Sequence, residues 1–353
     1  RHRTCCWGPW SGEWGSGYGD AVSEEAAPYG SSQSSDPALK RVRTRHFRRA
    51  KEQGIKITGL TSYDCLSAQI FDDAGIDFLL VGDSAGNTVF GYDTTIPVTV
   101  DELIPLTAAV VRSVSRALVI ADMPFGSYEN GPDQALDTAI RFMKETRCHA
   151  VKCEGGIRSH KQIKRIVRAG IPVMGHIGFT PQSEHGLGGH IIQGRGDDGE
   201  EALLADAHAV EEAGAFAVVL EMVPSDIAGK VTAELSIPTI SVGAGPRCDG
   251  QLMVWTDWAG FTTGRIPRFV KRYADLAGTL RDAATAYRAE VESGEYPAPE
   301  HEYGAGRPRL DGQPAAVGGC RTRRAARFKQ PTSSSDEGSV VSRARKSERS
   351  GSP

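Results

Sequence analysis

Short apolar runs alternate with amphipathic stretches through the middle of the chain. KITGLTS (56–62), DFLLVG (77–82), ALVIAD (117–122), HAVKCE (149–154), IPVMGHIG (171–178), FAVVLE (216–221), IPTISVGAG (237–245) and a run centred on 251–255 read as strands. Segments 64–75, 101–114, 132–146, 159–170, 200–214 and 225–235 carry helical spacing. Asp101 is a candidate cap for the second of these, with Pro105 disturbing its first turn. Pro132 suits a first helical position, and Gly170 a helix stop. Residues 179–198 read as a long polar loop, and 266–291 as terminal helices packed outside. Eight strands separated by helices predict an α/β fold, a closed (β/α)8 TIM barrel. An open doubly wound sheet needs a switch point, and none is visible.

The flanks break this pattern. Residues 1–42 hold three of the five tryptophans among many Gly and Ser, with no sustained period, and are expected to form an irregular extension. They resemble neither a signal peptide nor a transit helix. Residues 304–353 carry eleven Lys or Arg against four acids and are expected to be a solvated, disordered tail. A nucleic-acid or partner-binding arm is the weaker reading, because aromatics are not interleaved with the charges. The barrel is assigned to 43–303. A net charge of -3 gives no global attraction to nucleic acid or membrane. No apolar run reaches the roughly 18 residues of a membrane helix. Cys5, Cys6 and Cys320 lie in the flanks. Cys65, Cys148, Cys153 and Cys248 are scattered through the body, as reduced thiols of a cytoplasmic protein would be.

The candidate chemistry sits just past the strands. Asp83, Asp122, Glu154 and Glu221 each follow a separate apolar run, and strand ends of a barrel meet at one mouth. Asp83, Asp122 and Glu154, from neighbouring strands 2, 3 and 4, are candidate Mg2+ ligands, since oxygen-only ligation suits that ion. Glu221, across the mouth, would face a substrate. Each acid has a structural alternative: the aspartates as helix caps, Glu221 as a rim ion pair. Lys152 lies two residues before Glu154 and so shares its side of the strand. It would bind a substrate carboxylate or pair with the acids. Cys153 falls on the opposite side. His176 supports a ligand or the loop. His176, His185 and His190 do not match a zinc spacing. Ser84 could donate to a substrate oxygen, and no GxSxG elbow surrounds it.

These residues lie in motifs that, in order and spacing, resemble the ketopantoate hydroxymethyltransferase family, in its actinobacterial form. They are LTSYD (60–64), LLVGDSAGNTVFGYDTT (79–95), ADMPFGSY (121–128), VKCEGG (151–156), GHIGFTPQS (175–183), QGRG (193–196), LEMVP (220–224) and GAGPRCDGQ (243–251). The resemblance spans roughly residues 43–303. It implies a Mg2+-dependent barrel enzyme of pantothenate and coenzyme A biosynthesis, assembled as a homodecamer. That enzyme moves a one-carbon unit from 5,10-methylenetetrahydrofolate to 3-methyl-2-oxobutanoate, giving 2-dehydropantoate through an enolate. It further implies metal roles for Asp83, Asp122 and Glu154. Asp83, Ser84, Asp122 and Lys152 would contact substrate, and Glu221 would accept the proton from C3. Residues 179–198 would then cover the site. Cys153 departs from the usual leucine, Glu184-His185 stands where other residue types are usual, and Thr146-Arg147-Cys148 replaces a commoner Gly-Ala turn. Two other readings are a phosphoenolpyruvate mutase or isocitrate lyase-like enzyme acting on a 2-ketoacid, and a noncatalytic barrel with a partner-binding tail.

Overall fold

In a computed structural model that describes residues 41–303, the eight apolar runs form parallel strands that close on themselves. They are β1 (Ile57–Thr61), β2 (Phe78–Val81), β3 (Leu118–Asp122), β4 (Ala150–Glu154), β5 (Val173–Gly178), β6 (Ala217–Glu221), β7 (Thr239–Val242) and β8 (Gly250–Met253). β8 pairs with β1 as well as β7, so no edge remains. The predicted (β/α)8 barrel is the observed fold. The terminal extensions (1–42 and 304–353, with Cys5, Cys6 and Cys320) lie outside the described residues, apart from residues 41 and 42.

The helices are α1 (Thr44–Gln53), α2 (Cys65–Asp73), α3 (Val100–Ser113), α4 (Pro132–Thr146), α5 (His160–Arg168), α6 (Glu184–Leu187), α7 (Gly196–Glu212), α8 (Ser225–Glu234), α9 (Trp255–Trp258) and α10 (Leu276–Ser293), and α10, expected to pack outside the barrel, has no buried residue. The chain divides at Glu290 into two units, and the barrel lies in the first. In the second, the described residues include one 3-10 turn, Pro299–His301.

Alternation along the strands builds two cores. Outward residues such as Val151, Val173 and Val218 pack against Ile163, Ile166 and Val210 of the helices. Cys153 belongs to this outer layer, its sulfur 3.5 Å from that of Met123. Burial pushes its thiol pKa up, which makes it an inert packing residue. The inward set is Ile57, Phe78, Leu80, Leu118, Ile120, Ala150, Met174, Ala217, Val219, Ile240 and Leu252. Phe47 of α1 joins it at the N-terminal end of the barrel, 5.5 Å from the ring of Phe78 and edge-on to Phe216. Gly59 makes room for Phe78, since a Cβ there would stand 2.2 Å from the ring.

Several local expectations change. Thr99, not Asp101, caps α3: its hydroxyl accepts the Glu102 N–H while Glu102 reaches back to the Thr99 N–H. Asp101 instead pairs with Arg141 at 2.8 Å. The 179–198 loop contains a 3-10 turn (Pro181–Ser183) and α6, and α7 already begins at Gly196. β8 ends at Met253 because Trp255 opens the single turn α9. Residues 266–275 are not helical. Their chain end runs back along α9, Tyr273 N–H donating to the Trp258 carbonyl and Leu276 N–H to that of Ala259.

Candidate active site

The inward parity that fills the barrel with apolar side chains changes chemistry at the C-terminal ends. Asp122 follows Ile120 by two positions, Lys152 follows Ala150, Glu154 follows Lys152, His176 follows Met174 and Glu221 follows Val219. Register places Asp122 opposite Lys152 and Glu154 opposite His176. With Asp83 and Ser84, just past β2, all of them line one cavity of about 310 Å³. Every site residue proposed from the sequence therefore reaches the same space.

Inside it the charges form a chain. Lys152 Nζ donates to both oxygens of Asp122, at 2.7 and 2.8 Å, and lies 3.7 Å from Glu154 Oε1. Asp122 Oδ2 also accepts the Asp83 N–H at 3.2 Å. His176 sits between two carboxylates, Nδ1 3.3 Å from Glu154 and Nε2 3.3 Å from Glu221. Both contacts are at ion-pair distance without hydrogen-bond alignment, and Glu154 Oε1 has no hydrogen-bond partner although it is buried.

Burial opposes the charge on Lys152, but Asp122, Glu154 and Asp83 hold its pKa above the ordinary lysine range. Burial likewise opposes His176, and the two flanking carboxylates overcome it, raising the imidazole to about 9. Burial raises Asp83 well above the usual carboxylate range, and the nearby Asp122 adds to this. Asp122 is also raised by burial, which Lys152 offsets only in part. Glu154 is lowered, because Lys152, His176 and the Gln182 N–H outweigh its burial. The unfavourable charge thus falls on the Asp83–Asp122 pair.

Three positioning residues were not singled out from the sequence. Gln182 donates its Nε2 to Asp83 at 2.8 Å and to the Met123 carbonyl, and its N–H to Glu154 Oε2 at 3.1 Å. Tyr128 donates its hydroxyl to Gln182 Oε1 at 2.6 Å. The Tyr63 hydroxyl meets Ser84 Oγ at 2.8 Å. All three lie within the quoted motifs, which was the available signal. From the 179–198 segment, Phe179, Pro181, Glu184 and His190 reach the cavity wall.

Known proteins carry the same arrangement of sequence. A family model described as ketopantoate hydroxymethyltransferase matches residues 41–299. The chain belongs to the ketopantoate hydroxymethyltransferase family. The 3-methyl-2-oxobutanoate hydroxymethyltransferase of Leifsonia xyli subsp. xyli is 73% identical over 267 residues, which cover 76% of this chain and 96% of that protein. Its namesake from Saccharopolyspora erythraea is 62% identical over 280 residues (79% and 94%). That from Nocardioides sp. is 57% identical over 293 residues (81% and 99%). Among solved structures, a phosphonopyruvate hydrolase is 12% identical with a TM-score of 0.49, covering 72% of this chain and 88% of that one. Family membership makes this chain a hydroxymethyltransferase of pantothenate biosynthesis. Among the described residues no helix is long and apolar enough to cross a membrane.

Proposed function

We propose that the cavity binds 3-methyl-2-oxobutanoate with Mg2+ and adds to it a one-carbon unit from 5,10-methylenetetrahydrofolate, giving 2-dehydropantoate. The observation that carries this reading is a charge deficit. Four carboxylates at the strand ends (Asp83, Asp122, Glu154, Glu221) share the cavity with Lys152 and His176, and Asp93, Glu184 and Asp257 line it as well. Acidic groups outnumber basic ones there, and a divalent cation would supply the missing positive charge. Asp83 and Asp122 offer the oxygen donors a hard ion prefers, and Glu154 Oε1 is the orphaned buried acceptor beside them. Among the described residues no group of three or more His, Cys, Asp or Glu stands ready to hold a metal ion. Mg2+ is commonly held by one or two carboxylates, with water and substrate oxygens in its other positions. When bound, the ion acts as a Lewis acid that stabilises negative charge on the keto oxygen.

The chain's own residues do the rest. Lys152 orients the substrate carboxylate and offsets its charge, with Ser84 donating beside it. Glu221, 18% exposed and steadied by His176, takes the C3 proton and leaves its electron pair in the enolate. The C3 carbon then bonds to the donor's methylene carbon as one of that carbon's two C–N bonds opens, and a water breaks the second, leaving its oxygen as the product's hydroxyl and releasing tetrahydrofolate with a proton on each freed nitrogen. Phe179, Pro181 and His190 limit bulk water at the mouth, so the 179–198 segment covers the site. Self-association into a homodecamer in the cytoplasm completes the proposal. Leu66 and Ile70, one turn apart on α2 and 71% and 64% exposed, support a self-associating face. The test is product analysis with the ketoacid and methylenetetrahydrofolate, with Mg2+ and with a chelator. The expected result is 2-dehydropantoate in the first case only. Equal product with chelator removes the metal role, and no product in either removes the reading.

A further inference from the structure

Several hydrogen-bond donors on the wall of the acidic cavity are already engaged by the protein. Lys152 donates to Asp122, the Ser84 hydroxyl meets that of Tyr63, and Asn87 Nδ2 donates to the Tyr92 carbonyl at 2.9 Å. The Thr95 hydroxyl differs from these. Thr95 lines the same cavity and is only 7% exposed, and among the described residues its Oγ1 has no hydrogen-bond partner. An unpaired buried hydroxyl is unfavourable, and a ligand atom in the cavity can supply the partner.

Local structure holds this hydroxyl in place. A π-helical turn, Gly86–Phe90, follows Ser84, and Gly91 turns the chain back with φ 74°. Single π turns of this kind recur at functional sites. The returning strap, residues 91–99, lies directly on the turn: a Cβ at Gly86 would stand 2.8 Å from Val98 Cγ2 and 3.1 Å from the Thr94 carbonyl. Hydrogen bonds tie the strap on both sides of Thr95. Before it, the Tyr92 carbonyl accepts from Asn87, and the Tyr92 hydroxyl donates to Glu102 at the start of α3. After it, the Val98 N–H donates to the Thr95 carbonyl at 3.1 Å.

We propose that Thr95 is a further substrate-contact residue, its hydroxyl donating to the ketoacid carboxylate. The proposal rests on the ketoacid reading above. The strap follows β2, as Asp83 and Ser84 do, and β2 stands opposite β6 in the closed eight-stranded barrel. A ketoacid with its C3 at Glu221, the last residue of β6, therefore turns its carboxylate toward the strap. Lys152 and Ser84 divide their hydrogen bonding between that carboxylate and the partners they already have, Asp122 and Tyr63. Thr95 has its whole hydrogen bond to give. Its branched side chain has few rotamers, so little ordering is left to do when the ligand arrives.

Thr95→Val keeps the shape of the side chain and removes the hydroxyl. The Kd for 3-methyl-2-oxobutanoate, measured by calorimetry with Mg2+ and no one-carbon donor, rises about tenfold or more, as loss of a hydrogen bond to a charged group implies. At saturating ketoacid, C3 proton exchange in deuterated buffer stays within about threefold of the unmutated protein. Thr95→Ser brings the Kd back to within about threefold. The ligand-free valine variant melts no lower than the unmutated protein, because the hydroxyl it lacks had no partner there. Thr95→Ala carries the same binding test if the strap does not accommodate valine. An unchanged Kd overturns the proposal. So does a loss of affinity that Thr95→Ser fails to restore, which would reflect packing rather than the hydroxyl. A ligand-free valine variant that melts lower while Thr95→Ser does not assigns the hydroxyl to the fold and overturns it as well. A saturated exchange rate that collapses with a normal Kd moves the hydroxyl to the C3 end, against the proposal. If the unmutated protein binds no ketoacid and exchanges no C3 proton, the ketoacid reading itself fails, which is a separate result.

Discussion

The two ends of the barrel are built from the same eight strands and handle polar groups in opposite ways. At the N-terminal end, Phe47, Phe78, Leu118, Ala150 and Ala217 close the interior with apolar side chains. The ions there sit outside, each with a partner: Arg116 with Asp77 and Lys51 with Asp249, both at 2.8 Å. Asp72 is similarly satisfied, accepting the N–H groups of Ser115, Arg116 and Ala117. At the C-terminal end, Asp83, Asp122, Lys152, Glu154 and His176 are buried with too little positive charge and several unmatched atoms. One end serves stability. The other carries unfavourable charge at the face where this fold places its active sites.

The sharpest way to separate the ends is Glu221→Gln. It should slow C3 proton exchange about a thousandfold while leaving the thermal midpoint nearly unchanged, read by NMR in deuterated solvent and by melting. Normal exchange in that variant would reassign the base. Phe47→Ala attacks the opposite end. We expect a loss of about 3 kcal/mol in urea unfolding, as for a buried aromatic removed from a closed core, with exchange per folded molecule retained. A parallel loss of exchange would mean the ends are not independent.

His149, just before β4, gives a pH handle on the stability end. Its Nδ1 accepts the Val119 N–H, and burial, reinforced by Arg41 and Arg43, lowers its pKa from 6.5 to about 4. The unfolded imidazole therefore takes up a proton first. The stabilisation is complete above pH 6.5 and is lost as the pH falls through the window down to about 4, about 3 kcal/mol in total. Urea midpoints of His149→Gln should fall less between pH 7 and 4.5 than those of the parent protein. Asp83 and Asp122, with raised values, act in the other direction, so the difference between the two proteins is the quantity that decides. The smallest effect is expected at Arg147, which ends α4 with φ 62°. Arg147→Gly should raise stability by about 1 kcal/mol by removing left-handed strain, with kinetics unaffected.

Arg147 also shows how far the sequence could be read. Its departure from a Gly-Ala turn was visible as an oddity, and only the backbone angle gives it a consequence. The elements that were legible carried strong period or punctuation: the apolar strands, Pro132 opening α4, Gly170 after α5. α1 was missed because a polar segment with one buried residue, Phe47, has no apolar face to detect. Residues 266–275 looked helical because nothing local reveals that the Tyr273 N–H is taken by the Trp258 carbonyl of α9. In the site, the acids, Lys152 and His176 were readable from their places after strands. Gln182 and Tyr128 were not, since their roles exist only where the loops after β3 and β5 meet.

By itself the sequence determined the barrel, the inward parity of the site residues and the family, because period and motif spacing are local properties that a strand-and-helix repeat converts directly into position. Only the tertiary structure decided that His176 bridges Glu154 and Glu221, that Asp83 and Asp122 share the unfavourable charge, and that Thr95 lines the same cavity. Those relations join residues far apart in the chain, and electrostatics depends on distance and burial in space, which no spacing along a chain encodes.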